Sequence, residues 1–277
     1  METFFSFLSK RVDDCSSLLC VGLDPHPSDL PTPTAEAARN FCLHLVTKTA
    51  RYAAAFKPNA AFFELYGPEG WKALKDVITA IQKESDRLGT HIPVILDAKR
   101  GDIASTAGAY ASSTFEQLGA DAVTLNPYLG QDSIEPFLTY PGKGVFLLCK
   151  TSNPGASDLQ DLPVSTHENG SVLLYEHVAR LAQQWNTRDN IGLVVGATQP
   201  EALLRVRKAA PDAWLLSPGV GAQGADLEPT LRQGLRKDGK GMLINVSRSL
   251  SRAEDAAQAA AQMRDDMIEI KNRMVHD

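Results

Sequence analysis

Hydrophobic and polar positions along the chain fall into two rhythms that take turns. Short runs dense in Val, Ile, Leu, Phe and Ala recur at Leu18–Leu23, Ala53–Lys57, Pro93–Ala98, Ala122–Asn126, Gly144–Cys149, Gly192–Gly196, Trp214–Ser217 and Met242–Val246, which is how buried strands read. Between them lie segments rich in Ala, Leu, Lys, Glu and Arg with apolar residues at helical spacing, such as Pro68–Leu88, Ser171–Trp185 and Ser251–Arg273. Strand and helix alternate through the whole length, and the number of such units is that of a closed (β/α)₈ TIM barrel. An open doubly wound sheet is the alternative. It favours fewer strands and a Gly-rich first turn, which Val21-Gly22-Leu23-Asp24-Pro25 is not. Phe4, Phe5, Phe7 and Leu8 predict a short amphipathic helix docked on the body. The longest irregular stretch runs from Thr151 to about Asn169, after the fifth strand, where loops of this length are usually functional.

Composition adds limits rather than detail. The 277 residues are 43% hydrophobic, enough for one large core, and no shift in composition divides residues 1–277 into more than one domain. A net charge of −5 gives no footprint for nucleic acid or a membrane surface. The four cysteines, Cys15, Cys20, Cys42 and Cys149, form neither a C-x-x-C pair nor a metal-ligand spacing, as expected of a reduced, cytoplasmic protein. Met1–Arg11 carries no basic, apolar leader pattern, and no run approaches the ~18 apolar residues of a membrane span.

Chemistry gathers at the ends of the predicted strands: Asp24 after the first, Lys57 at the second, Asp97 and Lys99 at the third, Asn126, Lys150, and then Ser247 and Arg248 at the eighth. Any one of these alone is most simply a wet strand end; together they mark the face on which barrels keep their reacting groups. On the third strand, alternation sends Val94, Leu96 and Ala98 to one side and Ile95, Asp97 and Lys99 to the other, toward the barrel axis. Asp102 follows at the turn into a helix expected over Ile103–Leu118, and Thr106 lies one helical turn on. An ion pair plus an Asp helix cap accounts for the same residues.

Asp97-Ala98-Lys99-Arg100-Gly101-Asp102-Ile103-Ala104-Ser105-Thr106 resembles the signature of orotidine 5′-phosphate decarboxylases. Similar agreement runs along nearly the whole chain, in Val21–Pro25, Phe56-Lys57-Pro58-Asn59, Ala61–Glu64, Thr151-Ser152-Asn153-Pro154-Gly155, Pro218–Gly224 and Asn245–Ser249. The wording is most similar to the bacterial subgroup that includes the mycobacterial enzymes. Ser247 stands where the common form has Gly. The resemblance implies conversion of orotidine 5′-phosphate to UMP and carbon dioxide with no metal and no organic cofactor. It implies Lys99 as proton donor, Asp97 beside the departing carboxylate, and Asp102 and Lys57 completing a charge-balanced array. It places Asp24 on the ribose, Ser152 and Asn153 on the pyrimidine edge, and Gln223 and Arg248 on the phosphate. Asp102, Ile103 and Thr106 are expected to enter the neighbouring subunit's site, so the implied partners are the small-molecule substrate and a second copy of the chain in a homodimer. Two other readings compete. One is a magnesium-dependent barrel acting on a sugar phosphate, which lacks the I-x-x-T continuation and the Gln loop; the other is a barrel that binds nucleotides without catalysis.

Overall fold

The computed structural model describes residues 2–166, 170–220 and 226–276. In chain order its first half holds α1 (Phe4–Cys15), β1 (Leu19–Leu23), α2 (Ala35–Thr49), β2 (Ala55–Pro58), α3 (Ala61–Glu64), α4 (Gly67–Leu88), β3 (Ile95–Arg100), α5 (Ala104–Ser112), β4 (Ala122–Leu125), α6 (Gln131–Leu138) and β5 (Gly144–Lys150). The second half holds β6 (Pro163–Thr166), β7 (Gly170–Leu173), α7 (Leu174–Trp185), β8 (Ile191–Val195), α8 (Pro200–Ala209), β9 (Leu215–Pro218), α9 (Leu227–Gly234), β10 (Met242–Val246), α10 (Arg248–Ser251) and α11 (Ala256–His276).

Eight of the strands form one sheet in the order β2-β1-β10-β9-β8-β5-β4-β3, every pairing parallel. Parallel bridges from Phe56 to Val94 and from Asn59 to Asp97 join the two ends of that order and close the cylinder. This is the (β/α)₈ barrel that the alternating pattern predicts. Closure also explains why the strands are nearly continuous apolar runs: one side faces the filled interior and the other faces the helices, so all five residues of β1, β8 and β10 are buried.

Helix α1 closes the bottom of the barrel. Thr3 caps it, its hydroxyl accepting from Ser6 N at 3.1 Å, and Phe4, Phe5, Leu8 and Val12 are buried on one stripe. Phe5 stacks on Trp214 with centroids 5.9 Å apart, and Phe4 and Phe5 both meet Phe146 edge-on. A Cβ on Gly144 would fall 2.4 Å from the Phe4 ring, so only glycine can start β5 beneath this helix. The Arg11 guanidinium is buried with it and donates to the carbonyls of Ala50 and Ala53. All four cysteines are buried and unbridged.

Beyond shifts of one or two residues at strand and helix ends, the elements differ from the sequence reading in three places. Ser171 belongs to β7, which pairs antiparallel with β6, so the stretch after β5 contains a hairpin and the helix begins only at Leu174. The last helical segment is broken into α10 and α11. The helix expected over Ile103–Leu118 is α-helical only through Ser112 and continues as a π-helical turn over Ser113–Leu118. Asn169 lies outside the described residues.

Candidate active site

At the C-terminal ends of the strands two cavities of about 400 and about 480 Å³ adjoin, sharing Lys57, Asp97 and Pro218. The first is walled by Asp24, His26, Asn59, Asn245, Ser247 and Arg248. The second is walled by Lys99, Thr124, Ser152, Asn153 and Gln160, with Leu148, Val194 and Leu216. One half is therefore rich in polar and charged side chains, with Phe62 and Val220 among its walls, while the other pairs apolar walls with amide and hydroxyl groups.

Asp97 sits between them. Its Oδ2 accepts from Lys57 Nζ at 2.7 Å, and its Oδ1 accepts from Lys99 Nζ at 2.5 Å and from Thr124 Oγ1 at 2.9 Å. Burial alone would raise the Asp97 carboxyl, but the two ammonium groups outweigh it and hold the carboxyl well below the usual range. Burial likewise opposes the charge on Lys57, and Asp97 together with Asp24 reverses that, raising the ammonium above its ordinary value. Both groups are thus held charged although their side chains are nearly buried.

Lys99 does not continue a regular strand. Four residue steps on β3, from Leu96 to Arg100, run against two on β4, from Val123 to Leu125, so β3 bulges there. Lys99 takes a left-handed backbone conformation, with φ +48°, and its side chain remains half-exposed. Strict alternation is therefore not what aims Lys99 inward; the bulge is.

The rim carries the remaining polar strand ends. The Asn126 side chain accepts from Tyr128 N and caps the turn after β4. Lys150, fully buried, pairs with Asp161 at 2.6 Å and lies over the Tyr175 ring. Neither lines the two cavities. Asp102 accepts from the adjoining Ile103 N at 2.8 Å, but the cap residue of α5 is Ile103 itself, so the helix-cap account of Asp102 does not hold. Asp102, Ile103 and Thr106 stand on the rim outside both cavities, and Ile103 is 53% exposed. Gln223 lies outside the described residues, as do Gly221, Ala222 and Gly224 of the same loop.

The model of the orotidine 5′-phosphate decarboxylase/HUMPS family matches residues 17–263. The chain belongs to that family. It is 48% identical over 94% of its length, and 93% of the other's, to a protein of Roseiflexus castenholzii named orotidine 5′-phosphate decarboxylase. Among solved structures it is similar to the OMP decarboxylase of Leishmania donovani, with TM-score 0.86, 51% identity and coverage of 97% and 98%. It also matches the UMP synthase of the same organism at TM-score 0.88 and 52% identity, there covering 98% of this chain but 57% of the longer one.

Within this family member, Ser247 is accommodated by an absence elsewhere: a Cβ on Gly22 would come within 2.8 Å of the Ser247 Cβ. Several cavity-lining residues escaped the sequence reading, Thr124, Asn245 and Gln160 among them. Thr124 and Asn245 are lone polar residues within apolar strands, and that break in pattern is the signal that could have revealed them. Gln160 had no such signal, since it lies in an irregular stretch. Asn245 is buried against the first cavity with its Oδ1 unpartnered. Among the described residues, no cluster of three or more His, Cys, Asp or Glu is placed to hold a metal ion.

Proposed function

We propose that this chain decarboxylates orotidine 5′-phosphate to UMP and carbon dioxide, the step that completes UMP synthesis, with Lys99 as the proton donor. The observation that carries the reading is the Lys57–Asp97–Lys99 array at the junction of the two cavities, in a chain of this family. The phosphate and ribose belong in the charged half, with Arg248 and Gln223 on the phosphate and Asp24 on the ribose hydroxyls. The pyrimidine belongs in the half lined by Leu148, Val194 and Leu216, with Ser152 and Asn153 at its polar edge. Its C6 carboxylate then arrives beside Asp97. The C6–carboxylate bond breaks, the electron pair stays on C6, and Lys99 Nζ delivers a proton there, leaving a neutral amine that solvent recharges.

Two like charges 4 Å apart at an effective dielectric of 20 repel by about 4 kcal/mol, whereas enzymes lower barriers by roughly 8–23 kcal/mol. Repulsion from Asp97 is thus the smaller contribution. An ammonium fixed where the negative charge develops supplies the larger one, because it needs no reorganisation as the bond breaks.

Within one subunit the array is Asp97 with two lysines. The reading adds Asp102 of a second copy, which balances the charge in a homodimer. Exposed apolar side chains along the same rim, Leu65, Ile103, Tyr128 and Leu129, support a face that is covered in the assembly. Loss of orotidine 5′-phosphate absorbance in the presence of EDTA tests the reaction. We expect full turnover with chelator and almost none in Lys99→Ala; activity lost to EDTA favours the magnesium-dependent alternative, and nucleotide binding without turnover favours a non-catalytic barrel.

A further inference from the structure

The array depends on a residue that the reaction does not consume. Thr124, on β4, is buried, and its hydroxyl is fully used. Its hydrogen goes to Asp97 Oδ1 at 2.9 Å, and its oxygen accepts from Ala98 N at 3.1 Å and Lys99 N at 3.0 Å. A hydroxyl has one donor and two acceptor positions, so all three are occupied. Ala98 and Lys99 lie in the segment of β3 that is out of step with β4, and extra residues in a bulge leave the strand ladder unpaired. The Thr124 side chain takes the place of the missing ladder acceptor for both of these N–H groups. It also grips the carboxylate that Lys99 must face.

We infer that Thr124 is a positioning residue: its hydroxyl holds the β3 bulge and the left-handed Lys99 backbone, and so fixes the proton-donating ammonium relative to Asp97. This rests on the reading of Lys99 as proton donor. Two features argue that the contact is more than packing. A non-glycine residue at φ +48° costs backbone energy and persists only where its surroundings impose it, and the hydroxyl bonds the Lys99 N–H directly. The same oxygen also ties the backbone of Lys99 to the side chain of Asp97, so displacement of one is felt by the other.

Thr124→Val keeps shape and volume but can neither donate nor accept. We expect it to lower kcat by about 10²-fold, as for a reacting group displaced by about 1 Å. UMP affinity should fall by less than kcat, because the groups assigned to phosphate and ribose line the other cavity and are untouched. Amide exchange at Ala98 and Lys99 should quicken, and Thr124→Ser, which restores the hydroxyl, should return kcat to within about fivefold of the parent. A folded Thr124→Val enzyme with kcat within about threefold of the parent overturns the inference, as does a Thr124→Ser enzyme as slow as Thr124→Val, which would assign the effect to the methyl group. Should Thr124→Val not fold, Thr124→Ala is measured by the same standard. The parent enzyme and Lys99→Ala, assayed alongside, separate the two claims: turnover surviving in Lys99→Ala defeats the proton-donor reading whatever Thr124 does.

Discussion

Asp97 is buried and still anionic because two ammonium groups, from β2 and from its own strand, share its oxygens. The pH consequences follow from the direction of each shift. The lowered Asp97 value means its contribution to stability is complete above the unfolded value of about 4 and is lost as pH falls through the folded one. The raised Lys57 value means its contribution is complete below about pH 10.4 and is lost only as pH rises beyond that. Between those limits the pair keeps its charge. Lys57→Met should leave Asp97 buried with one ammonium partner, costing about 3 kcal/mol in urea unfolding, the low end for breaking a buried pair because Lys99 and the Thr124 hydroxyl remain. It should also shift the acid limb of stability upward in pH, since burial then raises the Asp97 carboxyl. Asp97 and Lys57 were legible in the sequence as charges at strand ends. Thr124 was not, because its partners lie 25 to 27 residues earlier and the bonds exist only once β3 and β4 are in register.

The segment after β5 shows what periodicity misses at the scale of elements. Its two strands are four residues each, too short for alternation to register, and they pair only with each other. What ties the segment to the barrel is polar. Gln160 Oε1 accepts from Thr151 N, and Gln160 Nε2 donates to Thr151 Oγ1, both at 2.8 Å, beside the Lys150–Asp161 pair. These contacts set the position of Ser152 and Asn153 on the second cavity. Gln160→Ala should therefore raise KM for orotidine 5′-phosphate by about tenfold, the loss of roughly 1.4 kcal/mol of binding, while thermal unfolding shifts little. Steady-state kinetics alongside a melting curve checks both halves. Long, strongly periodic elements such as α4 were readable almost to the residue, whereas the α10–α11 break and the π-helical turn, two of whose carbonyls accept from Lys75 of α4, leave no mark in the periodicity.

Taken whole, the barrel needs little more than its pattern of strands and helices to be recognised, but its candidate residues fall into two groups. Lys57, Asp97 and Lys99 face the cavities, whereas Asp102, Ile103 and Thr106 look outward from the rim. If the outward group serves a second copy, an Asp102→Ala subunit and a Lys99→Ala subunit are each inactive with themselves but form one intact site when paired. Purified heterodimers should recover up to about half of the parental activity, the share of one good site in two. Verified heterodimers without turnover would place Asp102 in its own subunit's chemistry or in none. Strand alternation could not locate that grouping, because it describes one strand at a time; only the resemblance separated Asp102, Ile103 and Thr106 from the others.

The buried cysteines bear on how such a rim is to be watched. All four thiols lie within the core, and burial pushes the Cys20 thiol up to about 12. Little thiolate is therefore exposed at neutral pH to attack an alkylating dye. The native chain supplies a silent background, against which a single cysteine introduced on the outward rim, carrying a fluorophore or a spin label, tests whether two subunits meet there, without interference from within.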